Sequence, residues 1–247
     1  METTFLSVLV TDVTPLADGE LYRRALSLVP AERRAKAERL RFPEDRMRCI
    51  GAGLLLRYGL SLRGDRPENH VFAAGEHGKP YFADTETLHF SLSHAGDYAM
   101  CVLSSFPVGC DIERIPDAER ALRIAERFFT REEAAEFDGG TSPDARASLF
   151  ARYWTRKESV LKAVGAGFSC PMDRFSVRGR ECALDGIPGF AGQSCRFRDY
   201  AVPDGYRCAV CTLGEREQLP ADIPPEFPDI RRMISVSWQE RRVERHI

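Results

Sequence analysis

The order of helical and strand-like segments most constrains how this 247-residue chain can fold, because the same order occurs twice. In each occurrence a β-rich segment comes first and three helical segments follow. Short β-like runs bounded by Gly, Asp or Pro come last. The predicted helices cover residues 20–28, 31–40, 45–62, 118–128, 130–137 and 145–164. The predicted strands cover residues 5–10, 71–72, 80–82, 88–92, 98–103, 108–112, 175–177, 195–200, 206–212 and 233–237.

This order predicts an α+β fold made of two similar halves related by a pseudo-twofold axis. Each half is expected to be a small, mostly antiparallel sheet packed with helices. We place the first half at residues 1–106 and the second at 107–247, with an active site in the cleft between them. No strict sequence repeat relates the halves, so their kinship rests on the order of elements alone.

Charge and hydropathy exclude several classes of protein. The 35 basic and 37 acidic residues nearly cancel, which argues against a nucleic-acid-binding protein and requires any anion site to be local. No apolar run reaches the roughly 18 to 20 residues that span a bilayer, and Met1–Thr4 lacks the features of a signal peptide. We therefore expect a cytoplasmic protein with no membrane partner, and the two internal halves favour a monomer.

Eight cysteines are scattered along a chain that is large enough to fold without disulfides, so free thiols are expected. Cys208 and Cys211 have the spacing of a zinc-binding or redox pair. However, no second pair accompanies them, and the surrounding residues favour a strand. Because free cysteines are usually buried, we favour buried strand cysteines over a metal site here.

Two carboxylates stand two residues apart in a β-rich segment, as Asp111 and Glu113 of Gly109-Cys-Asp-Ile-Glu113. Since side chains alternate along a strand, both carboxylates are expected to point to the same face. Neighbouring carboxylate oxygens suit Mg²⁺, which takes one or two protein carboxylates and fills its remaining positions with water and phosphate oxygens. The alternative is a solvated strand end, which the short Asp-x-Glu pattern favours when taken alone.

A row of three residues, Trp154, Glu158 and Lys162, runs along one side of the predicted helix 145–164 at positions i, i+4 and i+8. An apolar stripe lies beside this row, so the two charged side chains are expected to be partly shielded from water. Glu158 could complete a metal site or act as a general base, and Lys162 could bind phosphate as a point charge. The alternative is an ordinary surface Glu–Lys pair.

Polar residues also stand in loops near the predicted strands. Lys79 lies between Gly and Pro in a turn, and Ser93 and His94 end a strand. The Ser-His pair does not predict a hydrolase, because adjacent strand residues diverge and no Gly-x-Ser-x-Gly elbow occurs. These two residues are better suited to donate hydrogen bonds to a phosphate. Two or three of the basic residues earlier in the chain could form a phosphate clamp by converging; they are Arg33, Arg34, Lys36, Arg39, Arg41, Arg46 and Arg48.

Taken together and in this order, these segments resemble the 4′-phosphopantetheinyl transferases of the surfactin-synthetase-activating (Sfp) type. The likeness covers nearly the whole chain. Its most specific part is the combination of Gly-x-Asp-x-Glu with Trp-x-x-Lys-Glu-Ser, since each motif alone is weak. The segments that carry the likeness are Pro30–Lys36, Gly78–Pro80, Phe90–His94, Val108–Glu113, Arg127–Thr130, Trp154–Ser159 with Lys162, Phe175–Val177 and Gly205–Tyr206.

The resemblance implies a reaction and a role for each residue. Enzymes of this family move the phosphopantetheine arm of coenzyme A to a serine of an apo carrier protein (peptidyl, acyl or aryl) and release 3′,5′-ADP. The implied ligands of Mg²⁺, or alternatively of Mn²⁺, are Asp111, Glu113 and Glu158. Glu158 is also the implied base, and Lys162 is implied to contact the bridging phosphates. The implied coenzyme A-binding residues are Arg33, Lys36, Arg48, Lys79, Ser93, His94, Asp111 and Lys162.

The resemblance also implies partners. Long two-half members mostly serve peptide and polyketide synthases, and their carrier proteins are usually acidic and helical. We expect the carrier to dock near Arg123–Glu133, with Phe128 and Phe129 as apolar anchors and Arg127 or Arg131 as steering charges. Cys49 departs from the pattern, because some relatives have a hydroxyl residue there near the 3′-phosphate, so that contact is not carried over.

Two other classes of function remain as alternatives. One is a non-catalytic protein that binds coenzyme A or a nucleotide, which the retained acidic residues and Lys162 argue against. The other is an unrelated Mg²⁺-dependent phosphohydrolase. The absence of a Gly-x-x-x-x-Gly-Lys phosphate loop removes only the commonest form of that class.

Overall fold

The computed structural model describes residues 4–138, 142–167, 170–214 and 223–235. It combines helices with antiparallel sheets, which confirms the predicted α+β class. The strands are β1 (Leu6–Asp12), β2 (Phe72–Ala74), β3 (Pro80–Phe82), β4 (His89–Ala95), β5 (Tyr98–Ser104), β6 (Val108–Arg114), β7 (Glu181–Ala183), β8 (Ser194–Tyr200) and β9 (Tyr206–Leu213). The helices are α1 (Gly19–Leu28), α2 (Ala31–Arg39), α3 (Pro43–Leu62), α4 (Ala118–Phe128), α5 (Arg131–Asp138), α6 (Pro143–Val164) and α7 (Ile230–Ser235).

Each half contains one main sheet and one long helix. The first sheet has the strand order β1-β5-β4 and packs against α3, and the second has the order β6-β9-β8-β7 and packs against α6. All the paired strands in both sheets are antiparallel. Strands β2 and β3 form a separate small hairpin in the first half. The long helices, as predicted, are the elements that cover the sheets.

Among the described residues, three apolar clusters form the core. The first lies between α3 and the β1-β5-β4 sheet, and the second lies between α6 and the β6-β9-β8-β7 sheet. The third lies between the two sheets and takes side chains from both, including Val8, Met100, Val102, Cys110 and Val210. Because this third cluster belongs to both halves, the two sheets are packed face against face over part of their area.

Serine hydroxyls join the neighbouring strands β4 and β6. The Ser91 hydroxyl accepts a hydrogen bond from the backbone N–H of Cys110 at 3.0 Å. The Ser93 hydroxyl accepts one from the backbone N–H of Ile112 at 3.4 Å. The two bonds satisfy backbone donors of β6 that face the other half, where an unpaired buried N–H would be costly. They also fix how far β4 is shifted along β6, and so align Ser93 on β4 with Asp111 on β6.

Local signals at its two ends explain the extent of α6. Ser142 caps the first turn by accepting a hydrogen bond from the backbone N–H of Ala145 at 3.2 Å, and Pro143 occupies the first helical position. Gly165 ends the helix in the left-handed conformation with φ +75°, which glycine adopts without steric cost. The helix therefore begins and ends where its sequence requires.

The predicted strand at 175–177 is wrong, because this segment has irregular structure. Its backbone groups are bonded to side chains instead of a neighbouring strand. Arg156 donates to the carbonyl oxygens of Val177 and Gly179, both at 2.7 Å. Lys157 donates to those of Met172 and Phe175 at 2.7 and 2.8 Å.

Two further differences concern short elements. The predicted strand at 233–237 is wrong over its described part, since residues 230–235 form α7. Sequence reasoning also missed β7 at 181–183. A short apolar run does not separate a buried helix from a strand by periodicity alone, which explains the first error.

The eight cysteines are buried free thiols, as expected. Cys208 and Cys211 both lie on β9, but they belong to different apolar clusters on opposite faces of the sheet. Their side chains therefore do not converge on one ion. None of the helices in the described ranges combines the length and the apolar character needed to span a bilayer.

Candidate active site

A cavity of about 500 Å³ lies between the two halves. Its walls come from α2, the β2–β3 turn and β4 on one side, and from β6 and α6 on the other. Nine of the ten residues that the sequence singles out line it: Arg33, Lys36, Lys79, Ser93, His94, Asp111, Glu113, Glu158 and Lys162. The tenth, Arg48, does not line the cavity. The strand-end acids and the Glu–Lys row on the long helix therefore face the same space.

Asp111, Lys162 and Ser93 form a connected cluster on the wall of the cavity. The Lys162 Nζ donates to Asp111 Oδ1 at 2.6 Å and to Ser93 Oγ at 3.0 Å. The Ser93 hydroxyl donates to Asp111 Oδ1 at 2.7 Å. Although burial alone would favour the neutral amine, the Asp111 carboxylate raises the pKa of Lys162, so this side chain is a permanent positive charge.

The second oxygen of Asp111, Oδ2, is buried and accepts no hydrogen bond. Beside it, burial first and the Asp111 charge second raise the pKa of Glu113 to about 7. The same two causes, in the same order, raise the pKa of Glu158 to about 7. One lysine therefore faces three acids in a desolvated space, and the surplus negative potential can be relieved by protons or by a cation.

Gly109 allows β6 and α6 to approach each other closely. A Cβ atom at this position would lie 1.9 Å from the Ser159 carbonyl oxygen and 2.4 Å from the Ala163 backbone nitrogen. Both are helix backbone atoms that cannot rotate out of the way. Only glycine fits here, and the close contact brings Asp111 on β6 within hydrogen-bonding distance of Lys162 on α6.

The opposite wall of the cavity is positively charged. Burial, then the charges of Lys162, Arg48 and Lys36, lower the pKa of His94 to about 4, so its imidazole is neutral at pH 7. Of these three cations, Arg48 and Lys36 belong to the first half and Lys162 belongs to the second, so positive charge from both halves makes this part of the cavity suitable for an anion. Arg48 itself donates to the Gly96 carbonyl oxygen at 2.8 Å and thereby holds the β4–β5 turn. It also pairs with Asp45 at 2.6 Å.

Two family models together match most of the chain. Residues 17–106 match the family model described as "4'-phosphopantetheinyl transferase, N-terminal", and residues 107–211 match the "4'-phosphopantetheinyl transferase superfamily" model. A 4'-phosphopantetheinyl transferase from Bacillus subtilis is 34% identical over 204 residues, which cover 80% of this chain and 87% of that one. The chain belongs to the 4′-phosphopantetheinyl transferases.

Other relatives match to different extents. The transferase Sfp of Bacillus subtilis (strain 168) is 32% identical over 223 residues, covering 90% of this chain and 93% of that one. The transferase AcpT of Escherichia coli (strain K12) is 44% identical over 92 residues, covering 37% and 47%. A crystal structure of the Thermotoga maritima holo-[acyl-carrier-protein] synthase overlaps 45% of this chain and 64% of that one, at 18% identity and a TM-score of 0.31.

Within this transferase, the motif Trp154–Ser159 also contains two residues whose role the sequence did not reveal. Lys157 forms an ion pair with Glu133 at 2.8 Å, and both side chains are fully buried. Arg156, only 3% exposed, forms a two-point ion pair with Asp199. Both charges immediately precede Glu158 in the chain, and no sequence pattern marks them as buried. They hold the 172–179 segment and do not line the cavity.

The transferase's fit to a divalent ion is mixed. Across the described ranges, no three Asp, Glu, His or Cys side chains converge closely enough to coordinate an ion. In favour of an ion, Asp111 Oδ2 is buried without a hydrogen bond, and the pKa values of Glu113 and Glu158 are raised by the Asp111 charge. The donor chemistry, all carboxylate oxygen, is that preferred by Mg²⁺.

Proposed function

We propose that this chain transfers the 4′-phosphopantetheine arm of coenzyme A to a serine hydroxyl of an apo carrier protein and releases 3′,5′-ADP. The observation that carries the proposal is the single cavity in which one half supplies cations and the other supplies three acids and a lysine. The cationic wall suits the phosphates of coenzyme A, and the acidic wall suits proton removal next to a bound cation. Family membership gives the reaction class.

The residues of the second half are suited to the chemical step. The carrier serine oxygen attacks the diphosphate phosphorus that is bonded to pantetheine. The bond from that phosphorus to the oxygen bridging the two phosphates breaks, and 3′,5′-ADP leaves. Glu158 accepts the serine proton, because its carboxylate lines the cavity one helical turn before Lys162 and carboxylates commonly serve as general bases. Lys162 is charged and faces the negative charge that gathers on the leaving phosphate.

Asp111, Glu113 and Glu158 would hold a divalent ion, Mg²⁺ or Mn²⁺. When bound, such an ion neutralises charge on phosphate oxygens and orients them for displacement. The carboxyl oxygen of Asp111 that lacks a hydrogen bond is the one that this role would use. Ser93 holds the other oxygen of Asp111 and thereby orients the carboxylate.

The first half would bind the phosphates of coenzyme A. Arg33, Lys36 and His94 line the cavity, and His94 is neutral at pH 7, so it offers a hydrogen bond without a charge. Arg48 contributes its charge to this wall while its guanidinium holds the β4–β5 turn. This division assigns substrate binding to residues 1–106 and chemistry to residues 107–247.

The carrier protein would dock beside the cavity at 123–133. Phe128 is suited to anchor it, because this ring packs edge-on against Trp154, which lines the cavity. Phe129 does not fit the predicted role of an anchor, since it is only 5% exposed and stacks on Phe150 in the core. Arg127 lies over the Phe128 ring, and Arg131 is exposed at the start of α5.

Charge reversal tests the docking surface. The double variant Arg127→Glu/Arg131→Glu should weaken carrier binding and lower its association rate, with little change in the KM for coenzyme A. Arg231→Glu is the control, because Arg231 is an exposed residue of α7, which packs against α1 and α3 in the first half. Unchanged carrier affinity in the double variant would place the docking surface elsewhere.

Mass spectrometry tests the reaction itself. The protein is incubated with coenzyme A, Mg²⁺ and a panel of apo carrier proteins that includes peptidyl and acyl carriers. A carrier that gains the mass of phosphopantetheine supports the proposal, and the pattern over the panel shows whether peptide, polyketide or fatty acid synthases are served. Phosphate release without a carrier adduct would instead favour a phosphohydrolase, and binding of coenzyme A without either product would favour a non-catalytic binding protein.

A further inference from the structure

Lys79 lies in the turn before β3, but its ammonium group reaches into the other half. The Lys79 Nζ donates to the Val108 carbonyl oxygen of β6 at 3.2 Å and to the Ala163 carbonyl oxygen of α6 at 3.1 Å. An ammonium has three N–H donors, so at most one is left for a ligand in the cavity. A lysine whose main task was to bind a phosphate would be expected to direct more of its donors into the cleft.

The acceptor on α6, the Ala163 carbonyl oxygen, needs a hydrogen-bond donor from outside the helix. The last four carbonyl groups of a helix have no partner within it, and Ala163 is among the last four residues of α6. The end of a helix also carries partial negative charge, which favours a nearby cation. Lys79 therefore satisfies the terminus of a helix that belongs to the other half of the molecule.

The turn that carries Lys79 is itself fixed. The Gly75 N–H donates to the Lys79 carbonyl oxygen and the Gly78 N–H donates to the Gly75 carbonyl oxygen, both at 2.9 Å. The neighbouring His77 packs against Gly167, where a Cβ atom would lie 2.9 Å from the His77 Cβ. A fixed turn with two contacts to the end of α6 is suited to hold that end in place.

The two carbonyl groups lie next to reacting residues. Ala163 follows Lys162, and Val108 precedes Gly109, whose close contact with α6 sets the distance between β6 and the helix. We propose that Lys79 is a positioning residue whose ammonium clamps the last turn of α6 to the start of β6, so that Lys162 and Asp111 stay aligned. The inference rests on the proposed function for its catalytic consequence. It replaces the phosphate contact that the resemblance implies for Lys79.

The burial of the lysine supports this assignment. Desolvation lowers the pKa of Lys79 to about 8, yet the side chain stays mostly protonated at pH 7. The charge of Lys79 is stabilised by the two carbonyl oxygens that its ammonium group contacts. Lys36, in contrast, lines the cavity near Arg33 and His94. The two lysines therefore differ in what their ammonium groups contact, and substitution should separate them.

The experiment compares Lys79→Met with Lys36→Met, using coenzyme A and 3′-dephospho-coenzyme A as donors. Lys79→Met should lower kcat with both donors by about 10- to 100-fold, since a misplacement of reacting groups by about 1 Å costs that much. It should leave the preference for coenzyme A unchanged within about twofold. Lys36→Met should instead lower that preference about tenfold or more, through a higher KM for coenzyme A, because hydrogen bonds to charged groups contribute about 1.5–3 kcal/mol.

A second readout needs no turnover. The backbone N–H groups of Gly165 and Ala166 donate to the Leu161 carbonyl oxygen at 2.9 and 3.2 Å. Their hydrogen–deuterium exchange should be faster in ligand-free Lys79→Met than in the wild type and unchanged in Lys36→Met. If Lys79→Met does not fold, Lys79→Gln replaces it, since the amide NH₂ group can still donate to carbonyl oxygens but carries no charge.

The outcomes are distinct. A fall in the preference for coenzyme A in Lys79→Met, as in Lys36→Met, would show a phosphate ligand and overturn the inference. Unchanged exchange at Gly165 and Ala166 in Lys79→Met would overturn it as well, whether or not kcat falls. A wild-type protein that transfers nothing would reject the proposed function, while the exchange measurement would still decide whether Lys79 clamps α6.

Discussion

Two ion pairs on α6 differ in how completely their partners are satisfied. The Lys157–Glu133 pair is fully buried, and its remaining hydrogen-bonding groups are taken by backbone partners such as the Val177 N–H, which donates to Glu133 at 2.7 Å. The Lys162–Asp111 pair lies on the cavity wall, with Lys162 29% exposed and one Asp111 oxygen without a hydrogen bond. The first pair is complete without a ligand. The second leaves one carboxylate oxygen without a hydrogen bond, and under the proposed function this difference separates a structural pair from a catalytic one.

The largest effect is expected from breaking the complete pair. Lys157→Met leaves Glu133 buried without its cation, and it should lower the free energy of unfolding by about 3–5 kcal/mol. Urea denaturation at pH 7 measures this. The exposed pair Arg123–Glu119 is the control, because Arg123→Met should cost less than about 1 kcal/mol. Equal losses in the two variants would mean that burial does not distinguish the pairs.

Breaking the incomplete pair should affect activity more than stability. Asp111→Ala and Lys162→Ala should each lower kcat for transfer by about 10²–10³-fold, because each removes charge stabilisation from a desolvated site. The stability loss should be smaller than for Lys157→Met, since Lys162 is 29% exposed whereas Lys157 is fully buried, and the loss of Asp111 relieves repulsion on Glu113 and Glu158. Transfer is measured by the mass of the carrier, and near-normal turnover in either variant would contradict these roles.

Separating β6 from α6 should disturb the second pair by a different route. Gly109→Ala places a methyl group against helix backbone, which should cost about 1–3 kcal/mol of stability and lower transfer activity by moving Lys162 away from Asp111. Thermal unfolding and transfer assays measure the two effects. Gly19→Ala is the matched control, as no atom lies within 4 Å of a Cβ at that position. Full activity in Gly109→Ala would show that α6 adjusts freely.

The smallest effect is expected from the charge of a histidine that lies between two carboxylates. His70 contacts Asp65 at 2.7 Å and Asp84 at 2.9 Å. Burial opposes its charge, but hydrogen bonds to the two carboxylates prevail and raise the pKa of His70. Hydrogen bonds from Asn69 and His70 outweigh burial and lower the pKa of Asp65.

The sign of the pH dependence follows from these two directions. A raised His70 pKa stabilises the fold fully below the unfolded value of about 6.5, and this stabilisation is lost as the pH rises through the folded value. A lowered Asp65 pKa stabilises it above about 3.9, and that part is lost in acid. His70→Asn should therefore cost more at pH 5.5 than at pH 8.5, and the difference, which is the electrostatic part, should be less than about 1 kcal/mol. A larger cost at pH 8.5, measured in urea, would contradict a charged His70.

The sequence predicted the parts of the site that depend on simple periodicities. The strand period placed Asp111 and Glu113 on one face, and the helical period placed Glu158 and Lys162 in one row. The strand prediction at 175–177 failed because Arg156 and Lys157 supply the hydrogen bonds that a strand partner would have supplied. Nothing local marks a lysine or arginine as a buried donor to a remote backbone segment.

Lys79 shows the same limit in the cavity. Its turn was recognisable between Gly and Pro, but its acceptor on α6 lies 84 residues further along the chain. The direction of a long side chain depends on how distant elements pack, which no local pattern records. The close contact at Gly109 likewise depends on the distance between a strand and a helix that only the folded chain defines.

The apolar cluster between the two sheets predicts how the protein would behave if its two halves were produced as separate chains. Leu6 and Met100 on one side and Ile112 and Val210 on the other bury each other. A break in the polypeptide near residue 106 would give two fragments, each with a sticky apolar surface that matches the other. Each fragment produced alone should aggregate. The two produced together should associate, and recovery of transfer activity would show that they had done so.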